Sequence, residues 1–141
     1  LPNRLFNFIK NIMHTDKIKY ELEFVIHASP QLLYQYISSP SGLSGWYADN
    51  VNVQGDIYTF IWDEAEEKAK LLRKKMDELV KFRWLHVEDD SYFEMLIVVD
   101  EITKDVSLII TDFADDEIEM QESKMLWNNQ IAELKHVLGS I

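Results

Sequence analysis

No cysteine occurs in this chain of 141 residues. That absence excludes a disulfide framework, an iron–sulfur site, a cysteine-based zinc site and a thiol nucleophile, and it suits a cytoplasmic protein. Basic residues are in short supply: 14 Lys and Arg stand against 25 Asp and Glu, for a formal net charge of -11. A chain so acidic repels phosphate backbones and anionic membranes, which argues against nucleic acid as its main partner. The four histidines, His14, His27, His86 and His136, fall in no metal-ligand spacing. There is no glycine-rich phosphate loop and no nucleophile elbow. The expectation is therefore no catalytic residue, no cofactor and no metal. Leu1 to Met13 carries Leu5, Phe6, Phe8, Ile9 and Ile12, but Arg4 and Lys10 interrupt them. The stretch is too short and too polar for a membrane span, and it lacks the cleavage site of a secretory signal.

What is present is ample core material. Hydrophobic residues make up 47% of the chain and aromatic residues 12%, enough for one domain and too little length for two. Met13 stands just before the first clear strand, so residues 1–15 are expected to be an N-terminal extension and 16–141 the domain.

Residues 17–26 alternate. Ile18, Tyr20, Leu22, Phe24 and Ile26 share one side while Lys17, Lys19, Glu21 and Glu23 share the other, the period of a half-buried strand. Ser29-Pro30 then signals a helix start, and Leu32, Leu33, Tyr36 and Ile37 form its apolar stripe. Pro40 stops that helix, and Ser41 is placed to cap a second, shorter one carrying Leu43, Trp46 and Tyr47. Val51 and Val53, then residues 57–62, read as strands. Residues 91–100 and 106–113 form a hairpin. Asp115-Asp116-Glu117 precede a long helix over about 118–138, with Trp127, Ile131, Leu134 and Leu138 on one side.

Residues 63–84 are ambiguous. Ala65, Ala69, Leu72, Met76 and Leu79 recur at helical spacing among good helix formers. The alternative is two strands, 67–75 and 78–86, turning at Met76-Asp77-Glu78, and Val80, Phe82 and Trp84 alternate with Lys81 and Arg83 in its support.

Ala28-Ser29-Pro30, Pro40 with Leu43, Trp46, Tyr47 and Asp49, Val80-Lys81-Phe82-Arg83-Trp84, and Trp127 with Leu134-Lys135 occur in an order that resembles the START-like superfamily, also called SRPBCC. Within it the chain is similar to the branch related to the activator of the heat-shock chaperone ATPase. The resemblance covers about residues 16–140. It implies an α+β helix-grip fold: an antiparallel β-sheet of about six to seven strands curved around a long C-terminal α-helix, with two short helices after the first strand. It also implies strands, not a helix, at 67–75 and 78–86. The chain departs from the family in two ways: Leu126 stands where glycine often precedes the final tryptophan, and Gly55 is the sole glycine in the middle strands.

The expected function is binding of a small hydrophobic or amphipathic molecule between sheet and C-terminal helix. Aromatic walls with a few polar tips suit such a pocket. Its expected lining is Phe24, Tyr36, Trp46, Tyr58, Phe60, Trp62, Phe82, Trp84, Met95, Trp127 and Ile131, unless these rings simply fill the core. A second reading follows from the family: a chaperone-associated interaction module, docking an acidic protein on Lys68, Lys70, Arg73, Lys74 and Lys75. Without a partner, those lysines are a solvated sheet face. A third is an enzyme of cyclase or hydrolase type. Polar strand residues usually face out, so Glu94 and Asp112 are expected at the solvent. Either one facing inward would become a candidate general base.

Overall fold

The alternating segments pair as expected. The computed structural model describes residues 16–139; the expectations for residues 1–15, and for His14 among them, lie outside the described residues. Strand β1 (Ile18–Val25) is followed by helices α1 (Pro30–Ser38) and α2 (Pro40–Leu43). Then come β2 (Asn50–Gln54), β3 (Ile57–Trp62), β4 (Ala65–Lys75), β5 (Leu79–Trp84), β6 (Phe93–Val99) and β7 (Val106–Ala114). The last element is the helix α3 (Glu117–Val137). The seven strands form one sheet in the order β1-β7-β6-β5-β4-β3-β2, every neighbour antiparallel. The two short helices thus carry the chain from one sheet edge to the other, and the rest is a meander that walks back. This is the α+β helix-grip architecture.

The α1 cap is as the sequence reads: Ser29 Oγ accepts from the Leu32 amide at 3.1 Å, with Pro30 in the first turn. The second helix differs. Its cap is Ser39, not Ser41; Ser39 Oγ accepts from the Gly42 amide at 3.0 Å and Pro40 occupies the first turn. Pro40 therefore starts α2 as well as ending α1. Gly42 lets the two helices meet: a Cβ there would collide with the Gln35 carbonyl oxygen and lie 2.6 Å from Tyr36 Cα.

The ambiguous segment is a hairpin. Ala69 is completely buried and Leu71 half-buried on one face of β4, so a period of two prevails over helical propensity. The pairing with β5 shifts between Leu71 and Arg73. Leu72, 37% exposed, is the extra residue, and the bulge resets the phase so that Arg73 pairs with Lys81 and Lys74 with Val80. Scarce glycine is also explained, because Asp63, Asp77 and Lys104 take φ of 49°, 61° and 65° at the turns. Non-glycine residues thus fill three left-handed positions, and glycine fills those at Gly55 and Gly139.

One layer of helix covers the concave face. α1 packs on β5 and β6, α2 on β2, and α3 on β1 and β7. Phe60, Phe82, Leu33, Ile37, Met95, Leu108, Ile110, Ile131 and Leu134 are fully enclosed between them. The start of α3 is fixed by Asp116, whose Oδ1 accepts from the Glu119 amide at 2.8 Å, and by Glu119 Oε2, which accepts from the Asp115 amide at 3.2 Å. No helix among the described residues is long and apolar enough to cross a membrane.

Candidate functional site

Because α3 lies over the β1–β7 half of the sheet, its Trp127 side looks across to β3, β4 and β5, where the helical cover is incomplete. A cavity of about 490 Å³ opens there, lined by Tyr47, Trp62, Ala65, Glu67, Trp84, Phe93, Asp112, Ser123, Leu126, Trp127 and Gln130. A second space of about 380 Å³ shares Trp62, Glu67, Trp84, Asp112 and Ser123 with it and continues to Lys17, His86 and Glu119. The shared walls make the two one cleft.

Tyr47 forms its floor. The ring is buried and lies 5.7 Å from Trp127, 6.1 Å from Phe93, 5.6 Å from Trp62 and 5.1 Å from Phe60, centroid to centroid. Its carbonyl accepts from Trp62 Nε1 at 2.8 Å and from Gln130 Nε2 at 3.1 Å. The segment after α2 is thereby tied to both walls. Burial pushes the Tyr47 hydroxyl well above its usual pKa, and the negative charge of Asp112 adds to this.

Asp112 corrects the expectation that it faces solvent. It lies two residues from Ile110 and from Ala114, both fully buried, and so shares their inward face. Its Oδ2 accepts from Trp127 Nε1 at 2.9 Å and from the Tyr20 hydroxyl at 3.5 Å, and its Oδ1 accepts from the Phe113 amide at 2.8 Å. Burial raises its pKa above the ordinary 3.8 even though these donors pull the other way. Tyr20 is pushed up in turn, by burial first and by the Asp112 charge second. Glu94 does face out, opposite Lys81 and Thr111 on the convex side.

The basic residues at the mouth are engaged. Lys17 Nζ stands 3.4 Å from Asp89 Oδ2 and donates to Ser91 Oγ at 3.4 Å. His86 Nδ1 lies 3.3 Å from Glu67 Oε2. Arg83 holds the loop between β5 and β6 by donating to the carbonyls of Ser91 and Asp90 at 2.9 and 3.0 Å. Among the described residues, no group of three or more His, Asp or Glu could hold a metal ion.

Of the eleven residues named from the sequence, Trp62, Trp84 and Trp127 line this cleft. Trp46 is buried beside Tyr47, donates from Nε1 to the Tyr36 carbonyl at 2.8 Å, and borders a further space of about 490 Å³ past the end of α2, which shares Tyr47, Trp62, Leu126 and Gln130 with the cleft. Phe60, Phe82, Met95 and Ile131 sit in the closed core, and Tyr58 is pinned there by its hydroxyl, which donates to the Ser38 carbonyl at 2.9 Å. Phe24 is half-buried under Lys135, and Tyr36 borders a small hollow of about 240 Å³ between α1 and α2. With Asp112, the residues Tyr47, Ala65, Glu67, Phe93, Ser123, Leu126 and Gln130 complete the cleft without having been named for its lining. For Glu67 the signal was available: it shares the inward face with Ala69 and Leu71.

A START-like superfamily domain matches residues 14–140. The chain belongs to the START-like superfamily. It is similar to BfR322 from Bacteroides fragilis, known from solution NMR, at 31% identity over 87% of this chain and 92% of that one, with a TM-score of 0.63. The Aha1 dimer from Colwellia psychrerythraea shares the START-like fold at 15% identity, over 86% of this chain and 96% of that one, with a TM-score of 0.72. MLL2253 from Mesorhizobium loti does so at 14% identity, 86% and 97% coverage, and a TM-score of 0.69. A search of curated proteins found no match. A START-like fold is consistent with holding a small molecule or with a protein-interaction role.

Proposed function

We propose that the cleft between β3–β5 and α3 binds a small hydrophobic or amphipathic molecule, without catalysis, in a cytoplasmic protein whose START-like domain spans 16–141 after an extension of 1–15. The observation that carries this reading is the open space itself. Most of the aromatic rings are packed into a filled core, yet Trp62, Trp84 and Trp127 border about 490 Å³ that the described residues leave open, a volume within the usual range of ligand sites. Asp112 is the inward acid, but three donors already address it, which suits an anchor better than a general base. Titration of tryptophan fluorescence with a panel of lipids, sterols and aromatic polyketides tests the reading. A saturable change with one class is expected, and silence across the panel rules the reading out.

A second reading, docking of an acidic protein on β4, has its own support. Lys70 pairs directly with Arg83, and Arg73 with Lys81. Like charges placed opposite each other across strands are unfavourable, so a basic patch of this kind suits an acidic partner. Lys68, Lys70, Arg73, Lys74 and Lys75 are all exposed, although Asp56 lies 3.9 Å from Lys70 and Glu78 lies 2.9 Å from Lys75. Capture of a partner that is indifferent to Lys74→Glu combined with Lys75→Glu would count against it.

A further inference from the structure

We infer that the cleft selects an organic cation: an amphiphile with an ammonium head and an apolar tail. This rests on the proposed reading of the cleft as a ligand site and names the chemistry of its occupant.

The walls and the charges point the same way. Trp62, Trp84 and Trp127 border the cavity, and indole is the aromatic group with the strongest attraction for a cation. Around them the charge is negative. Glu67, Asp112, Asp115 and Glu119 line the joined spaces, against Lys17 and His86. Lys17 is drawn off toward Asp89 and Ser91, and His86 lies against Glu67, one of those four acids, so the acids still outnumber the bases. The surplus left facing the cleft is acidic.

Asp112 gives that surplus a location. It sits where both spaces meet, beside Trp127. A carboxylate has about four acceptor sites, and Trp127, Tyr20 and Phe113 fill three of them. An ammonium group entering the cleft would add the missing positive charge among indole rings, while its tail runs along Tyr47, Phe93 and Leu126. A carboxylate or phosphate head would instead bring a like charge against Asp112 and Glu67. A neutral head would gain the tail contacts alone.

The test compares three ligands with one tail: dodecyltrimethylammonium, dodecanol and dodecyl sulfate, each below its micelle concentration, followed by tryptophan fluorescence. The ammonium is expected to bind roughly tenfold tighter than the alcohol, as a desolvated charge pair with cation–π contact allows, with the sulfate weakest. Asp112→Asn and Glu67→Gln should each weaken the ammonium by roughly tenfold relative to the alcohol. Circular dichroism confirms that each variant folds, and Glu67, 46% exposed at its side chain, keeps the test open if Asp112→Asn does not. Sulfate binding as tight as ammonium, or ammonium binding untouched by the folded variants, overturns the inference and leaves the ligand cleft standing. No binding of any of the three overturns both.

Discussion

The hydrogen bond from Trp127 to Asp112 ties the long helix to the last strand, and its strength can be measured. Trp127→Phe keeps an aromatic ring but removes the Nε1–H that reaches Asp112 Oδ2 at 2.9 Å. A hydrogen bond to a charged group contributes about 1.5–3 kcal/mol. The smaller ring in a site only 5% exposed adds a cavity cost of about 1 kcal/mol. The expected loss is then about 2.5–4 kcal/mol in urea unfolding followed by circular dichroism. Size and hydrogen bonding are separated by a double-mutant cycle with Asp112→Asn, where a coupling of about 1–2 kcal/mol is expected.

The pH dependence gives an independent check. Asp112 has a folded pKa above its ordinary 3.8, so in the window between the two the folded state holds more protons than the unfolded. Its contribution to stability is fully present below 3.8 and is lost as pH rises through the folded value. The Trp127 N–H acts in the opposite sense, because it favours the ionised form. The penalty of Trp127→Phe should therefore be greatest at neutral pH and shrink on acidification, as Asp112 becomes protonated in the fold. A coupling below about 0.5 kcal/mol, the scatter expected of independent sites, would refute the reasoning, as would a penalty that grows on acidification.

Two further substitutions test the frame around the cleft. Gly42→Ala puts a methyl group against the Gln35 carbonyl oxygen and 2.6 Å from Tyr36 Cα; a loss of about 1–3 kcal/mol is expected in the same assay, and a neutral result would show that α1 and α2 are less tightly joined. Lys104→Gly relieves a φ of 65° at the β6–β7 turn, where the left-handed conformation costs an ordinary residue about 1–2 kcal/mol. Since glycine has more freedom to lose on folding, a net gain of about 0.5–1 kcal/mol is expected, and a destabilised variant would contradict the turn geometry.

The scaffold was legible because its signals were local. Alternation at residues 17–26, Ser29-Pro30, and the steps from Trp127 through Ile131 to Leu134 each mark an element whose partners need not be known. The β4 strand was legible only through the family resemblance. Its lysines, glutamates and leucines favour a helix, and the bulge after Leu71 breaks the two-residue period that would have shown a strand. The cap of α2 was misplaced by two residues for a related reason. Ser39 and Ser41 flank the same proline, and only the Gly42 amide decides between them.

The cleft was harder to read, because membership depends on where a residue lies along an inward-facing strand. Tyr58, Phe60 and Trp62 share one face of β3, and Val80, Phe82 and Trp84 one face of β5. Yet Phe60 and Phe82 are sealed in the core, while Trp62 and Trp84, one step further along, meet open space. What separates them is the reach of the helical layer, a tertiary property. Tyr47 shows the same dependence. The sequence reads it as one apolar residue of a short helix; in the fold it follows that helix and lies between Trp62 and Trp127, with its carbonyl serving both β3 and α3. Asp112 follows from this arrangement. An inward acid on a central strand is costly unless donors surround it, and the donors come from β1 and α3, at the opposite ends of the chain. A strand pattern read in isolation places such an acid outside, and only the packing of the first strand and the last helix around it makes the inward position tolerable.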